Sequence, residues 1–245
     1  MVGMGTWRTF DTEEDRRPIV EAALAAGIDL FDTSPMYGRA QETLAAALQG
    51  LRDRVLVADK IWTESRAEGR VQAQAAVGLY GTVDVYQVHN LAAWPIQLEL
   101  LEHLHDQGRV RVIGATHYQP SAFPELARVM RSGRIGMVQI PYGPGRREAE
   151  SEILPLAAEL GLGVFVMSPL QHGILERDPG PDSLAELGAA SWPELIVRWI
   201  LSDERVSTVL TATRSPEHLA ETTAGGRGPW LTPDQREAVA ELARS

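Results

Sequence analysis

VLVADKIWTESRAEGRVQAQAAVGLYGTVDVYQVHN, residues 55–90, carries the pattern on which the fold turns. Two short runs, VLVADKIW (55–62) and VDVYQVHN (83–90), flank an amphipathic stretch containing Ala, Leu and Glu. Short runs rich in β-branched residues suit strands covered on both faces of a parallel sheet. Six more such runs occur: VGMGTW (2–7), IDLFDT (28–33), VRVIGAT (110–116), IGMVQIPY (135–142), LGVFVMSPL (162–170) and VSTVLTAT (206–213). Amphipathic stretches separate them throughout.

Strand and helix in alternation mean a parallel sheet with right-handed crossovers. Eight such units within 245 residues predict an α/β chain folded as a (β/α)₈ barrel, one domain over residues 1–245. A doubly wound open sheet is the weaker alternative. Thr12 with Asp15 reads as a capping box for the first helix, and Ser121 and Ser215 read as N-caps. Gly27, Gly133 and Gly161 are placed to close helices before the next strand. Thr232-Pro233-Asp234 opens one extra helix at the C-terminus. Residues 178–190 read as a loop or short helix, and AGGRG (224–228) as a turn between helices rather than a phosphate loop.

The formal net charge of −10 argues against nucleic acid as a partner, because phosphate binding calls for clustered Lys and Arg. Without cysteine, disulfides, thiolate catalysis and Cys-ligated zinc are excluded. Neither a signal peptide nor a membrane span is evident, so a cytoplasmic location is the expectation. One lysine, Lys60, stands in a chain that otherwise uses arginine. Lysine differs from arginine where a compact charge or a shiftable pKa is needed.

Barrels of this kind place functional residues at the C-terminal ends of strands. Those ends supply Trp7, Asp32, Tyr37, Lys60, Trp62, His89, Asn90, Thr116, His117, Gln139, Tyr142, Ser168, Thr213 and Arg214. Asp32, Tyr37, Lys60 and His89 come from three adjacent strands. A phenol with a pKa of about 10 is a poor acid, but a neighbouring ammonium lowers that value. Asp32 can hold the lysine in place and charged, and His89 can donate a hydrogen bond to an oxygen on which charge develops. Such a set protonates a carbonyl oxygen while something else attacks the carbon.

FDTSPMYG (31–38), ADKIW and YQVHN, with RVIGATH, MVQIPY, VMSPLQHGIL and LTATRSPEHLAE, resemble the signature motifs of the aldo-keto reductases. The resemblance covers nearly the whole chain. It implies an NADPH-dependent barrel enzyme acting on a small carbonyl substrate, with NADH as the alternative cofactor. Tyr37 would be the general acid–base, tuned by Lys60 and Asp32, with His89 orienting the carbonyl. Thr116, His117 and Gln139 match positions that hold the nicotinamide carboxamide. Ser168, Leu170 and Gly173 match the loop along the pyrophosphate, and Thr213, Arg214, His218 and Glu221 the segment that grips the adenosine and its 2′-phosphate. Trp7, Trp62 and Asn90 would wall the substrate.

The sequence departs from the family pattern at His117, Met167, Ala212, His218 and Thr222, all on the cofactor side. The N-terminal hairpin and long C-terminal tail usual in the family are not seen, so an open pocket is expected. Two other readings stand beside reduction: Schiff-base chemistry at Lys60, and a cofactor-binding sensor or channel-associated subunit with little turnover. His103 and His105 read as a solvated helix face, His172 as loop structure or a cofactor contact, and Trp199 and Trp230 as packing residues.

Overall fold

Side chains of a strand alternate between its two faces, so each apolar run feeds two cores at once. In the computed structural model, which describes residues 1–170 and 173–244, the runs become strands β1 (Val2–Gly5), β2 (Leu30–Asp32), β3 (Leu56–Ile61), β4 (Val83–His89), β5 (Val110–Thr116), β6 (Met137–Pro141), β7 (Gly163–Met167) and β8 (Thr208–Thr211). They pair in parallel in chain order and close, β8 against β1, into a barrel. His172 lies outside the described residues.

The helices form the outer layer: α1 (Arg17–Ala25), α2 (Ala40–Ala47), α3 (Arg66–Tyr80), α4 (Trp94–Asp106), α5 (Phe123–Arg131), α6 (Ile153–Leu160), α7 (Pro181–Glu186), α8 (Trp192–Leu201), α9 (Pro216–Ala224) and α10 (Pro233–Leu242). Outward-facing Phe31, Val57, Tyr86, Val138, Val166 and Val209 join the large core beneath them. Inward-facing Leu30, Ala58, Val85, Met137 and Leu210 form a separate apolar floor inside the barrel. Two residues further along four of those strands stand Asp32, Lys60, Gln87 and Gln139, all buried. One step of strand periodicity therefore converts a dry floor into a polar layer beneath the C-terminal rim.

Several sequence expectations change at the helix ends. Thr12 and Asp15 form no capping box; Thr12 Oγ1 accepts from the Glu14 N–H in the preceding loop, and Asp15 Oδ1 from the N–H of Arg17, the first residue of α1. Helix α1 opens later, with Pro18 in its first turn and no side-chain cap at Arg16. Proline is pre-set for that position and has no N–H to satisfy. Ser121 falls inside a short 3₁₀ turn, Pro120–Ala122, and α5 starts after it without a side-chain cap. Ser215 does cap α9, accepting from the His218 N–H, and Thr232 with Gln235 forms a full capping box on α10. Residues 178–190 contain the short helix α7. The AGGRG turn fits because Gly225 lies against α8, where an added Cβ would stand 2.4 Å from the Glu194 carbonyl oxygen.

Helix α10 is fastened by a polar cluster on the outside of the barrel. Arg236 donates to the Tyr142 hydroxyl (2.6 Å) and to Asp203 (3.4 Å), and its guanidinium lies 4.4 Å from the Trp199 ring centroid. The Trp199 indole N–H in turn donates to the Arg236 carbonyl (2.7 Å). Tyr142 is thus drawn away from the rim, where the sequence placed it, into this cluster. Trp199 packs as expected, whereas Trp230 is 53% exposed. Among the described residues no helix is long and apolar enough to cross a membrane. Arg236→Ala should lower stability by about 1–3 kcal/mol, through lost charged hydrogen bonds and the ring contact, as read by urea unfolding.

Candidate active site

The polar layer opens into a cavity of about 990 Å³ at the C-terminal rim. Its base is an ion pair. Lys60 Nζ donates to Asp32 Oδ2 at 2.6 Å and to the Thr33 carbonyl at 2.8 Å, and Lys60 is wholly buried. Gln87 Nε2 adds a long 3.4 Å bond to the other Asp32 oxygen. Burial opposes the ammonium, but the Asp32 carboxylate beside it holds the Lys60 pKa above its ordinary value. Lys60 is a fixed cation.

Tyr37 sits over this cation, its ring centroid 5.0 Å from Nζ. The loop that presents it turns at Gly38, where φ is +64° and an added Cβ would collide with the Asp11 carboxylate at 2.2 Å. Only glycine allows both that φ and that approach. Lys60 lowers the Tyr37 pKa as the sequence predicts, but the net shift is upward. Burial raises it most; Lys60 pulls it down but does not win, and Asp32 adds to the rise. Tyr37 is therefore a phenol, not a phenolate, at neutral pH.

His89 meets the Tyr37 ring edge-on, centroids 5.8 Å apart with planes at 89°. Its Nδ1 is engaged by Ser34 Oγ at 2.9 Å, which leaves Nε2 for a ligand. Burial, then the Lys60 charge, pushes its pKa well below the usual value, so the ring is neutral. Register places His89 beside Thr116 and Thr116 beside Gln139. Thr116 Oγ1 and Gln139 Oε1 are buried without a hydrogen-bond partner among the described residues. Unpaired polar atoms in a cavity wall are costly unless a ligand meets them.

Asp32, Tyr37, Lys60, His89, Thr116 and Gln139 thus line one cavity, together with Trp7, Trp62, Asn90, Ser168, Leu170, Thr213, His218 and Glu221. Three expected residues stand outside its lining. His117 stacks on Tyr118 (5.4 Å, 5° between planes), and Tyr118 takes the place on the wall. Gly173 starts the Ile174–Arg177 turn with φ +74°. Arg214 is exposed beside Thr213. Sequence reading missed Ser34, Gln87, Arg8 and Arg146. Ser34 lay inside the FDTSPMYG motif, and Gln87 shares the inward parity of His89; those signals could have found both.

Backbone strain gathers at the same rim. The non-glycine residues with positive φ among those described are Arg8, Asn90, Leu91, Ala93 and Ser168, and all follow the C-terminal ends of β1, β4 or β7. Such conformations cost about 1–3 kcal/mol each and persist where the surrounding structure imposes them.

Residues 1–244 match the model of the Aldo/keto reductase family. The chain belongs to the aldo-keto reductase family. An aldo-keto reductase of Mycolicibacterium smegmatis is 29% identical over 234 residues, covering 89% of this chain and 81% of that protein. The holo form of the aldo-keto reductase AKR11C1 from Bacillus halodurans superposes with TM-score 0.82 at 22% identity, covering 98% of this chain and 91% of that one. An aldo-keto reductase from Klebsiella pneumoniae in complex with NADPH gives TM-score 0.79 at 20% identity, covering 99% and 89%.

The neutral His89 makes a pH prediction. Its folded pKa lies below the unfolded value of about 6.5, so the unfolded chain binds the extra proton. Its effect on stability is absent above that value and grows as pH falls through it, at most about 1.4 kcal/mol per pH unit. His89→Gln should accordingly lose less stability than the wild type between pH 7 and pH 5 in paired urea titrations.

Proposed function

We propose that this member of the family reduces the carbonyl group of an aldehyde or ketone, with Tyr37 as the proton donor. The observation that carries the reading is the buried Lys60–Asp32 pair beneath a protonated Tyr37, beside a neutral His89. His89 Nε2 would donate to the carbonyl oxygen and hold it against the Tyr37 hydroxyl. As negative charge builds on that oxygen, Tyr37 gives up its proton, and the Lys60 cation stabilises the phenolate left behind. Asp32 keeps Lys60 charged through the cycle. Lys60 thus acts on the state after proton transfer, not by ionising Tyr37 beforehand.

The residues present fit a nicotinamide dinucleotide, NADPH, with NADH as the alternative. Thr116 and Gln139 offer unpaired polar atoms suited to the carboxamide. His117 would serve only from behind Tyr118. Ser168 and Leu170 would border the pyrophosphate. Thr213, His218 and Glu221 would hold the adenosine at the N-terminus of α9, and the exposed Arg214 supplies a cation for a 2′-phosphate. Bound there, the cofactor supplies the hydride. Trp7 and Trp62, 38% and 44% exposed, with Asn90, form a substrate wall.

The Schiff-base reading is disfavoured by the same geometry, because Lys60 Nζ is buried, charged and already donates to two oxygens. A sensor with little turnover would have no use for a protonated Tyr37 above a fixed cation. NADPH oxidation by aromatic aldehydes, followed optically, is expected to fall more than about a hundredfold in Tyr37→Phe. Equal rates in the two proteins would overturn the assignment. Lys60→Arg should also lose most activity, because a planar guanidinium does not fit a fully buried slot shaped for a compact ammonium.

A further inference from the structure

Strand β3 runs on beyond its neighbour β2. The last register pair between them is Asp32 with Ala58, and the Thr33 N–H still donates to the Ala58 carbonyl (2.9 Å). In a parallel pair, alternate residues direct both N–H and carbonyl to the same neighbour. Lys60, two residues past Ala58, therefore turns its N–H toward β2 where the ladder has ended. The next rung would need an N–H from residue 35, which is Pro35 and has none. The Thr33 carbonyl that would have accepted the Lys60 N–H is taken by the Lys60 ammonium (2.8 Å).

The vacant bond is supplied by Asp59. Its Oδ1 accepts the Lys60 N–H at 2.8 Å, and its Oδ2 accepts from Gln41 Nε2 on α2 at 2.6 Å. The Gln41 carbonyl accepts from the Tyr80 hydroxyl of α3 at 2.8 Å. Asp59 is wholly buried on the outer face of β3, between the apolar Val57 and Ile61 of that face. A buried carboxyl is costly where an apolar side chain would pack, unless it meets a need.

We propose that Asp59 is a positioning residue for the reaction, holding the Lys60 backbone in place of the missing strand partner and tying that point of β3 to α2. The proposal rests on the reductase reading for its effect on turnover. Through the barrel wall Asp59 faces Lys60 and Asp32; Tyr86 faces it from β4, and Tyr80 from α3, with Glu42 and Arg52 near that phenol. Burial lifts the Asp59 pKa to about 7, against the pull of the Lys60 N–H and Gln41. Its ionised form raises the Tyr37 pKa further, so the phenol is the better proton donor when Asp59 is neutral. Reduction should slow as pH rises through that range.

The test compares D59A, which removes the acceptor, with D59N, which keeps an oxygen for the Lys60 N–H and cannot ionise. For D59A, kcat for aldehyde reduction should fall at least about tenfold, with the cofactor KM within about twofold. D59N should restore kcat at pH 6 to within about threefold of wild type and lose the inflection near neutrality. Wild-type kcat in folded D59A, or an unchanged inflection in D59N, would overturn the proposal. Because Lys60 is the only lysine, ¹⁵N-lysine labelling gives one backbone amide signal, read without turnover. That signal should titrate near pH 7 in the wild type and stay flat in D59N; a flat wild-type signal overturns the role of Asp59. A titrating signal in a protein that reduces no carbonyl would instead sink the reductase reading and leave the positioning intact.

Discussion

The ion pair between Lys60 and Asp32 is the constraint around which the barrel's upper half is arranged. Two opposite charges taken out of water lose several kcal/mol of hydration each, and recover it only through close geometry and further hydrogen bonds. Here the 2.6 Å contact, the Thr33 carbonyl and the Gln87 amide provide them. Replacing either charge by an apolar group would leave the other stranded in a dry layer. The pair therefore behaves as one unit, and burial in the layer around it sets the protonation states of Tyr37 and His89.

Each neighbour answers that unit in a different way. Tyr37 is kept protonated by burial, which outweighs the pull of the nearby Lys60 cation. His89 is kept neutral by burial and by the same cation, and Ser34 fixes which ring nitrogen remains available. The backbone strain at Arg8, Asn90, Leu91, Ala93 and Ser168 lies above this layer. Beneath it lies the apolar floor of Leu30, Ala58, Val85, Met137 and Leu210.

Much of this was legible in the chain itself. Eight β-branched runs in alternation with amphipathic stretches led to a closed barrel, since both faces of every strand had to be covered. Asp32, Tyr37, Lys60 and His89 were legible because strand ends in such a barrel share one rim. Helix starts were less so: at Thr12 and Ser121 a nearby proline offered a better first turn than the side-chain cap. Tyr142 looked like a rim residue by position, yet its hydroxyl found Glu150, Asp203 and Arg236 outside the barrel.

By itself the sequence determined the architecture, the inward parity of the polar layer and the identities of its four central groups, because period and order along a strand are local properties. Only the tertiary structure decided the balance of charge among them. Whether the Tyr37 pKa ends above or below its ordinary value depends on burial against the pull of Lys60, and burial is set by elements distant in the chain. The same holds for Asp59. Its place beside Lys60 is written in the sequence, but its duty follows from β2 ending one rung short, a fact of pairing between strands.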